Sequence, residues 1–312
     1  MFAVVIPLYN KAPHIETTLR SVLAPKMSPA EIIVVDDGST DGGDRIVEPF
    51  ASQGITLIRQ SNSGVSAARN TGVAAARSPF VAFLDADDEW LPTHLATLAQ
   101  AIERFPDVGL YSTMHSVHVS GRNFTHHSAY PSGFIGKVDG FFTYVLAGPA
   151  LIHTSAACVK RNAFLDVGGF PVGLRYYEDF TLWIKMAVNF GMVHAAIVTA
   201  TYNCDSVNRS TQLRGREKIQ FFDFLQEVIA SGKLSTKERL SAMLFRDKTA
   251  FNVAAAMRLS NDIHGLTALR EFALESRLHK LTIKLGLLAH TPTFLLELAR
   301  RARHSSRTTS LR

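Results

Sequence analysis

Apolar runs and amphipathic stretches alternate along the first 110 residues of the chain. The apolar runs resemble buried strands, and the stretches between them repeat apolar residues at helical spacing. The expected strands are residues 2–9, 31–37, 55–60 and 79–87, and the expected helices are residues 11–24, 38–52, 63–77 and 93–105. Pro7 is expected to end the first strand. Unbroken apolar strands that alternate with helices are typical of a parallel sheet covered on both faces, so the pattern predicts an α/β fold.

The pattern changes twice after residue 109. Residues 110–212 mix short strand-like pieces with turns and contain one strongly amphipathic stretch at Glu178–Met192, whereas helical spacing prevails from residue 213 to 312. Residues 213–312 hold 18 Lys and Arg against 9 Asp and Glu, and residues 1–212 hold 15 against 18. We therefore expect a catalytic or binding domain over 1–212 and a basic helical appendage that meets different partners.

Composition supports a folded, intracellular chain. With 46% hydrophobic and 19% charged residues, the chain can bury a sizeable core. The two cysteines, Cys158 and Cys204, form neither a disulfide framework nor a metal-binding spacing, which favours a reducing cytosol. The N-terminal residues do not resemble a signal peptide, and no apolar stretch is long enough for a membrane span. A cytoplasmic location is expected.

Polar residues follow three of the expected strands at the point where each strand ends. They are Tyr9-Asn10, Asp36-Asp37 and the cluster Asp85–Asp88. Each cluster alone could be a turn, but open α/β sheets bind ligands at this edge. Because side chains alternate along a strand, Asp85 and Asp87 are expected to project to one side. Two such carboxylates can hold a ribose or a divalent metal, whereas the calcium-loop spacing is not met.

Further candidates lie outside this cluster. Arg69 is the one long cation on the small-residue helix between Gly64 and Gly72, where it can meet phosphate or carboxylate, or form a surface ion pair. The pair Glu178-Asp179 suits either a general base or an acidic helix N-terminus. His153, His194 and His126-His127 are weaker candidates. A dehydrogenase's glycine-rich loop and a nucleotidyltransferase's basic loop are both missing after the first strand.

Taken together, six pieces in order resemble the family 2 inverting glycosyltransferases. The pieces are VVIPLYN (4–10), EIIVVDDGSTD (31–41), NSGVSAARNTG (62–72), FVAFLDADD (80–88), FLDVGGF (164–170) and YYEDFTLWIKM (176–186). The resemblance covers about residues 1–205. It implies the A-type, Rossmann-like nucleotide-diphospho-sugar transferase fold, with a mixed, mostly parallel sheet flanked by helices. Residues 1–109 would be the nucleotide-sugar half and residues 110–212 the acceptor half.

The resemblance also implies roles for matching residues. Pro7 and Tyr9 would flank the nucleotide base, and Asp37 would accept a hydrogen bond from uracil N3. Arg69 would contact the nucleotide and neighbouring carboxylates. Asp85 would bind the ribose, with Ala86 beside it in the donor site, and Asp87 would coordinate Mg²⁺ or Mn²⁺. Asp179 would be the catalytic base, with Glu178 next to it. Trp183 would form a wall of the acceptor site.

The implied function is metal-dependent, inverting transfer of a sugar from a nucleotide-sugar, in particular a UDP-sugar, to a carbohydrate or lipid-linked hydroxyl. Cell-surface polysaccharide or glycolipid synthesis would be its setting. The Gln-x-x-Arg-Trp pattern of processive members is replaced by NRSTQLRGREK (208–218), which favours the addition of one sugar or a few. The alternatives are a nucleotide-sugar-binding protein without catalysis and a sugar nucleotidyltransferase of similar topology.

The basic C-terminal helices leave their partner open. The segment 295–304 joins apolar residues to Arg300, Arg301 and Arg303. These residues suit peripheral contact with anionic lipid at the inner face of the cell membrane, a solvated helix face, or an oligomer contact. No nucleic-acid recognition motif is present, and the front part is acidic, so nucleic acid is not expected as a partner.

Overall fold

The computed structural model of the protein describes residues 1–24, 26–125, 128–148, 152–174, 176–207 and 219–298. The chain divides into two compact units, Met1–Ser210 and Thr211–Arg312. The expected boundary after residue 212 lies outside the described residues. The division of residues 1–212 into a donor half and an acceptor half stays a prediction.

Within the described residues, ten strands of the first unit form one sheet. They are β1 (Phe2–Leu8), β2 (Glu31–Asp36), β3 (Ile55–Arg59), β4 (Phe80–Phe83), β5 (Glu89–Trp90), β6 (Leu110–Val119), β7 (Arg122–Thr125), β8 (Ile135–Lys137), β9 (Ala157–Lys160) and β10 (Met192–Asn203). The order is β3-β2-β1-β4-β9-β6-β10-β5, while β7 pairs with β6 and β8 with β10. Strands β1 to β4, β6 and β10 share one direction, which confirms the mixed, mostly parallel sheet.

Helices of the first unit follow the strands. They are α1 (Ala12–Leu23), α2 (Gly43–Val47), α3 (Val65–Ala75), α4 (His94–Arg104), α5 (Phe141–Ala147), α6 (Arg161–Asp166) and α7 (Glu178–Phe190), with 3₁₀ turns at Glu48–Gln53 and Thr154–Ala156. The helix periodicity located α1 and α4 within a residue or two. Ile15, Leu19 and Val22 of α1 pack into the core, as their spacing requires.

Two expectations about strand ends were wrong. Pro7 does not end the first strand, because β1 continues through it to Leu8. Pro7 is aligned with Val35 of β2, whereas the pairing of β1 with β4 stops at Val5 and Phe83, so its missing N–H falls where no strand lies on the β4 side. The fourth strand ends at Phe83. Asp85 and Asp87 therefore lie in a turn, and strand alternation does not place them.

Helix α3 approaches the sheet closely through a glycine. A Cβ built on Gly72 would lie 2.4 Å from Cγ1 of Val5 in β1. Real Cβ atoms do not approach carbon so closely, so the backbone of α3 can lie this near β1 only without a side chain at this position. This contact explains the small residues on α3 and brings Arg69, one turn earlier on the same helix, to the edge of the sheet.

The second unit is helical where it is described. Its helices are α8 (Ile219–Ala230), α9 (Thr236–Leu259), α10 (Ile263–Glu275) and α11 (His279–His290), followed by a helical stretch at 293–298. The side chains of Ser235 and Asp262 cap α9 and α10 by accepting hydrogen bonds from backbone N–H groups. Within the described residues, no helix has the length and apolar character needed to cross a bilayer.

Gly72→Ala should destabilise the first unit by about 1–3 kcal/mol, because the added methyl group forces α3 away from β1. The measurement is urea unfolding followed by the fluorescence of Trp90 and Trp183, which both lie in this unit. Ala74→Ser, at an exposed position of the same helix, is the control and should stay within about 0.5 kcal/mol of the wild type. A Gly72→Ala protein as stable as the control would contradict the close approach.

Candidate active site

The carboxyl ends of β1, β2 and β4 bring the predicted site residues to one edge of the sheet. Leu8 at the end of β1 is aligned with Asp36, and Val5 is aligned with Phe83, two residues before Asp85. Helix α7 adds Glu178 and Asp179 at its first turn. Contacts through Arg69 show that Asp85 and the pair Glu178-Asp179 lie close together.

Arg69 joins the two motifs. Its side chain is 4% exposed, its Nη2 donates to Oδ1 of Asp85 at 2.7 Å, and its Nη1 lies 3.5 Å from Oε1 of Glu178. The guanidinium also lies 5.0 Å from the ring centre of Phe170. Burial by itself lowers the pKa of Arg69, but the charges of Asp85, Glu178 and Asp179 outweigh burial and raise it. Arg69 therefore stays positively charged.

Asp85 stays ionised because of this contact. Burial raises the pKa of Asp85, but the charge of Arg69, with further help from His153 and Lys11, lowers it below its usual value. The backbone N–H of Asp85 donates to the hydroxyl of Ser155 at 3.1 Å. An anionic Asp85 can accept hydrogen bonds from hydroxyl groups such as those of a ribose.

Asp87 meets a cation that the sequence analysis did not single out. The ammonium of Lys11 lies 2.7 Å from Oδ2 of Asp87, and both side chains are only 12–13% exposed. Lys11 also donates to the carbonyl of Val207 and lies 3.5 Å from the hydroxyl of Ser206. The only available signal for Lys11 was its position three residues after the end of β1.

Asp88 is the fully buried member of the cluster. Its carboxylate accepts hydrogen bonds from the Ser155 hydroxyl and, at 2.9 Å, from the backbone N–H of Asn203, and it lies 3.6 Å from Nδ1 of His153. Burial, with the charges of Asp85 and Asp87, raises the pKa of Asp88. Asp88 thus ties the turn to the start of β9 and the end of β10, which sequence reasoning missed.

The residues of the turn fit a divalent cation. Asp85, Asp88 and His153 each offer a ligand atom within 4.8 Å of the others. Both oxygens of Asp88 accept hydrogen bonds, whereas Asp85 and Asp87 accept through Oδ1 and Oδ2 respectively, so Asp85 and Asp87 are the carboxylates better suited to hold a metal. Oδ2 of Asp87 already takes a cation from its own chain, the ammonium of Lys11, and carboxylate oxygens are the ligands that Mg²⁺ and Mn²⁺ prefer.

Glu178 and Asp179 open α7 with raised proton affinity. Burial is the main cause in both: it raises the pKa of Asp179, and together with the Asp179 charge it raises the pKa of Glu178 to about 7. Oδ1 of Asp179 accepts from the backbone N–H of Phe180 at 2.7 Å. Tyr177, just before the helix, has a φ of 61° and turns the chain into α7. Such a pair can accept a proton near neutral pH.

The residues expected at the nucleotide base differ in exposure. Pro7 is buried in β1, whereas Tyr9 is 45% exposed. Asp37 is 3% exposed, and its carboxylate accepts three hydrogen bonds of 2.8–2.9 Å, from Gln60 Nε2 and the backbone N–H groups of Ser63 and Gly64. Asp37 therefore also shapes the loop before α3, and its contact with uracil stays a prediction.

Trp183 and Ala86, two further residues with predicted roles, are both buried. Trp183 is fully buried and packs against Phe83 and Phe170, so it belongs to the core, and the expectation that it walls the acceptor site was wrong. Its position on the inner face of α7 decides this. Ala86 is 2% exposed and its carbonyl accepts from the Thr18 hydroxyl at 3.0 Å, which holds the turn. A donor contact of Ala86 stays a prediction.

The remaining candidates fall outside the site or outside the described residues. His194 is buried near the start of β10, where its ring contacts the hydroxyl of Ser112 at 2.9 Å, and burial lowers its pKa to about 4. His126, His127, residues 208–218 and the arginines at 300, 301 and 303 are not among the described residues.

The comparisons with known proteins identify the family. The Glycosyl transferase family 2 profile matches residues 3–164, slightly more than half of the chain, so the chain belongs to this family. The uncharacterized glycosyltransferase YibD of Escherichia coli (strain K12) is 40% identical over 109 residues, which are 34% of this chain and 32% of YibD. The succinoglycan biosynthesis protein ExoW of Rhizobium meliloti is 42% identical over 111 residues, 33% of this chain and 34% of ExoW. An uncharacterized glycosyltransferase of Haemophilus influenzae is 26% identical over 187 residues, 60% of this chain and 62% of that protein.

These alignments span less than two thirds of each relative. The crystal structure of S. aureus TarS 1-349 in complex with UDP-GlcNAc is similar with a TM-score of 0.75 and 18% identity, over 96% of this chain and 91% of that chain. The mannosyltransferase PcManGT from Pyrobaculum calidifontis, in complex with GDP-Man and Mn²⁺, has a TM-score of 0.55 and 20% identity, over 92% and 84%. At such identities the likeness concerns the fold, and it confirms the predicted transferase fold.

The raised pKa of Glu178 should make stability depend on pH. The carboxyl titrates near 4.5 when unfolded and at about 7 in the protein, so its contribution is fully present below pH 4.5 and is lost as pH rises towards 7. Glu178→Gln cannot titrate. Its stability relative to the wild type should therefore rise between pH 5 and pH 8, by up to about 3 kcal/mol.

Urea unfolding followed by tryptophan fluorescence at the two pH values measures this difference. Glu103→Gln, at an exposed position of α4, is the control and should run parallel to the wild type. Parallel curves for Glu178→Gln as well would show that Glu178 is ionised at ordinary affinity.

Proposed function

We propose that the protein transfers one sugar, or a few, from a UDP-sugar to a hydroxyl acceptor with inversion at the anomeric carbon. The observation that carries the proposal is Arg69, whose contacts with Asp85 and Glu178 hold a donor-type carboxylate and the Glu178-Asp179 pair around one cation. The family profile, which covers residues 3–164, supports the reaction class.

Each residue of the site has a proposed task in the reaction. Transfer breaks the bond between the anomeric carbon and the diphosphate while the acceptor oxygen attacks from the opposite face, through an oxocarbenium-like transition state. Asp179 accepts the proton of the acceptor hydroxyl, and Glu178 places a second carboxyl group next to it. Asp85 holds the ribose. Asp87, beside Asp85, would hold Mg²⁺ or Mn²⁺, which would neutralise the charge of the leaving diphosphate without a proton.

The proposed donor is a UDP-sugar. Asp37 would accept from uracil N3, and the exposed ring of Tyr9, with Pro7, would flank the base. The structure of TarS was determined with UDP-GlcNAc, and that of PcManGT with GDP-Man and Mn²⁺, which supports a nucleotide-sugar donor and a divalent metal. The transferred sugar depends on pocket contacts that no motif specifies.

The proposed acceptor is a growing cell-surface polysaccharide or a lipid-linked saccharide. The name of ExoW, a succinoglycan biosynthesis protein, supports the first. A lipid-linked acceptor would place the enzyme in the cytoplasm at the inner face of the membrane. Residues 110–175 would read the acceptor, because they lie outside the donor motifs.

The reaction product separates this proposal from its alternatives. A glycosyltransferase releases a nucleoside diphosphate, a nucleotidyltransferase releases pyrophosphate, and a binding protein releases neither. The pair Glu178-Asp179, held beside Asp85 by Arg69, favours the first, since transfer requires a group that accepts the proton of the acceptor hydroxyl and donor binding alone does not.

Asp179→Asn should lower donor turnover by about 10²–10⁴-fold, because the variant lacks the base that accepts the proton of the acceptor hydroxyl. The measurement is UDP release from a panel of UDP-sugars with a pool of cell-envelope acceptors. UDP should stabilise the variant against heat as it does the wild type, since Asp179 is not proposed to touch the nucleotide. Asp107→Asn, at an exposed position in the turn before β6 and outside the proposed acceptor segment, is the control. Full turnover by Asp179→Asn would exclude Asp179 as the base.

Asp87→Ala should abolish the metal-dependent part of nucleotide binding. With UDP at about 100 times its dissociation constant, Mn²⁺-dependent binding adds about 2.7 kcal/mol of stability to the wild type, which a thermal shift detects. The variant should show the same small shift with and without Mn²⁺. A Mn²⁺-dependent shift of wild-type size in Asp87→Ala would place the metal elsewhere, and Asp88→Asn would then be tested next to it.

A further inference from the structure

The C-terminal unit exposes large apolar side chains on several helices. Among the described residues, eight of them are at least 56% exposed, namely Leu240, Leu244, Ile263, Leu274, Ile283, Leu287, Phe294 and Leu298. Single exposed apolar residues are ordinary on soluble proteins, but a continuous apolar surface marks a site of interaction. Where such residues share a helix face with charged side chains, the sign of the charge indicates the kind of partner.

Helix α11 has two apolar faces. Leu281, Leu285 and Leu288 are at most 3% exposed and form its inner face. Ile283 and Leu287 are 64% and 68% exposed, and they lie four residues apart on the opposite side. Packing within the unit therefore uses only the inner leucines and leaves the outer pair in contact with solvent.

Two lysines share the outer face. Lys280 lies three residues before Ile283, and Lys284 lies three residues before Leu287, and both lysines are exposed. We call Lys280, Ile283, Lys284 and Leu287 the α11 outer face. The helix contains no Asp or Glu, and residues 276–304 contain six Lys and Arg but one acidic residue, Glu297. The face is apolar and cationic together.

This combination points to a lipid surface. Apolar side chains can enter the boundary between headgroups and acyl chains, while lysine stems lie along it with their ammonium groups at the lipid phosphates. A second copy docked through a two-fold axis would bring two more lysines into the contact, and α11 offers no acidic residue to pair with them, which is unfavourable. Phe294, Leu295 and Leu298 extend the exposed apolar surface in the helical stretch 293–298.

We propose that the α11 outer face docks flat on a membrane surface that carries anionic phosphate headgroups. The helix would lie in the interface, as expected where no described helix can cross a bilayer. Two basic and two apolar residues give weak, reversible attachment that salt disrupts. The docking is argued from α11 alone. Only its purpose, which is to bring a transferase to lipid-linked acceptors, rests on the proposed function.

Vesicle co-sedimentation of the full chain at low salt tests the docking. The vesicles are pure phosphatidylcholine, and an equal mixture of phosphatidylcholine and phosphatidylglycerol. The protein should bind the mixed vesicles and not the neutral ones. Lys280→Gln with Lys284→Gln should weaken binding about 30-fold, because each basic residue contributes about 1 kcal/mol and 1.4 kcal/mol is tenfold. Ile283→Ser with Leu287→Ser should weaken binding at least about tenfold.

A matched pair on α10 serves as the control. Ile263 and Leu274 are 64% and 60% exposed, as on the α11 outer face, but the acidic residues Glu271 and Glu275 lie beside Leu274. Ile263→Ser with Leu274→Ser should leave vesicle binding unchanged. Equal losses in the control and the α11 variants would show that general hydrophobicity, not this face, drives binding, and would overturn the proposal.

Other results would also overturn it. One is sedimentation of the wild type with neither vesicle, and another is binding of the α11 variants as tight as that of the wild type. Light scattering could reveal a dimer that Ile283→Ser with Leu287→Ser dissociates, which would assign the face to a second copy. UDP release in solution separates this proposal from the enzymatic one: normal release without vesicle binding removes only the docking, and vesicle binding without release of UDP removes only the proposed activity.

Discussion

The site depends on one buried cation, the guanidinium of Arg69. A charge that is 4% exposed is tolerable only if opposite charges meet it, since burying it alone would cost several kcal/mol. Its partners come from distant parts of the chain: Asp85 follows β4, and Glu178 begins α7. Neutralising the charge of one guanidinium therefore brings together the two motifs that the chemistry requires. The ring of Phe170 lies 5.0 Å from the cation and packs against Trp183 of the aromatic core.

The same edge of the sheet holds more carboxylates than Arg69 can neutralise, and each has a different solution. Asp87 meets Lys11, Asp88 is held by hydrogen bonds from Ser155 and Asn203, and Asp37 accepts from the loop before α3. Neighbouring carboxylates can keep separate properties only when their environments differ. Asp85 is thus held ionised while Asp88 is pushed towards protonation, although they are three residues apart.

Sequence patterns predicted those features of the fold that repeat along the chain. Apolar runs located β1 to β4, and helical spacing located α1 and α4, because burial imposes these periods locally. The site was only partly predictable. Strand alternation failed for Asp85 and Asp87 because β4 ends at Phe83, and no local signal marks the end of a fully apolar strand. Lys11 and Asp88 acquire their roles through partners at Val207 and Asn203, nearly two hundred and more than a hundred residues away. Trp183 was misassigned because helical spacing indicates which residues share a face but not which face is buried.

Charge divides the chain in a way that suits two different kinds of anion. Residues 1–212 carry a net charge of −3 from 15 basic and 18 acidic residues, yet their proposed substrate is an anionic nucleotide-sugar. An acidic edge can bind such a ligand only through cations placed between the two, and the short contacts Arg69–Asp85 and Lys11–Asp87 show that this edge already organises cations in this way. The proposed docking of the α11 outer face needs no such intermediary, because its lysines would meet an anionic surface directly. The two proposed interactions, selective binding at the acidic edge and weak attachment at the basic face, thus follow from opposite distributions of charge.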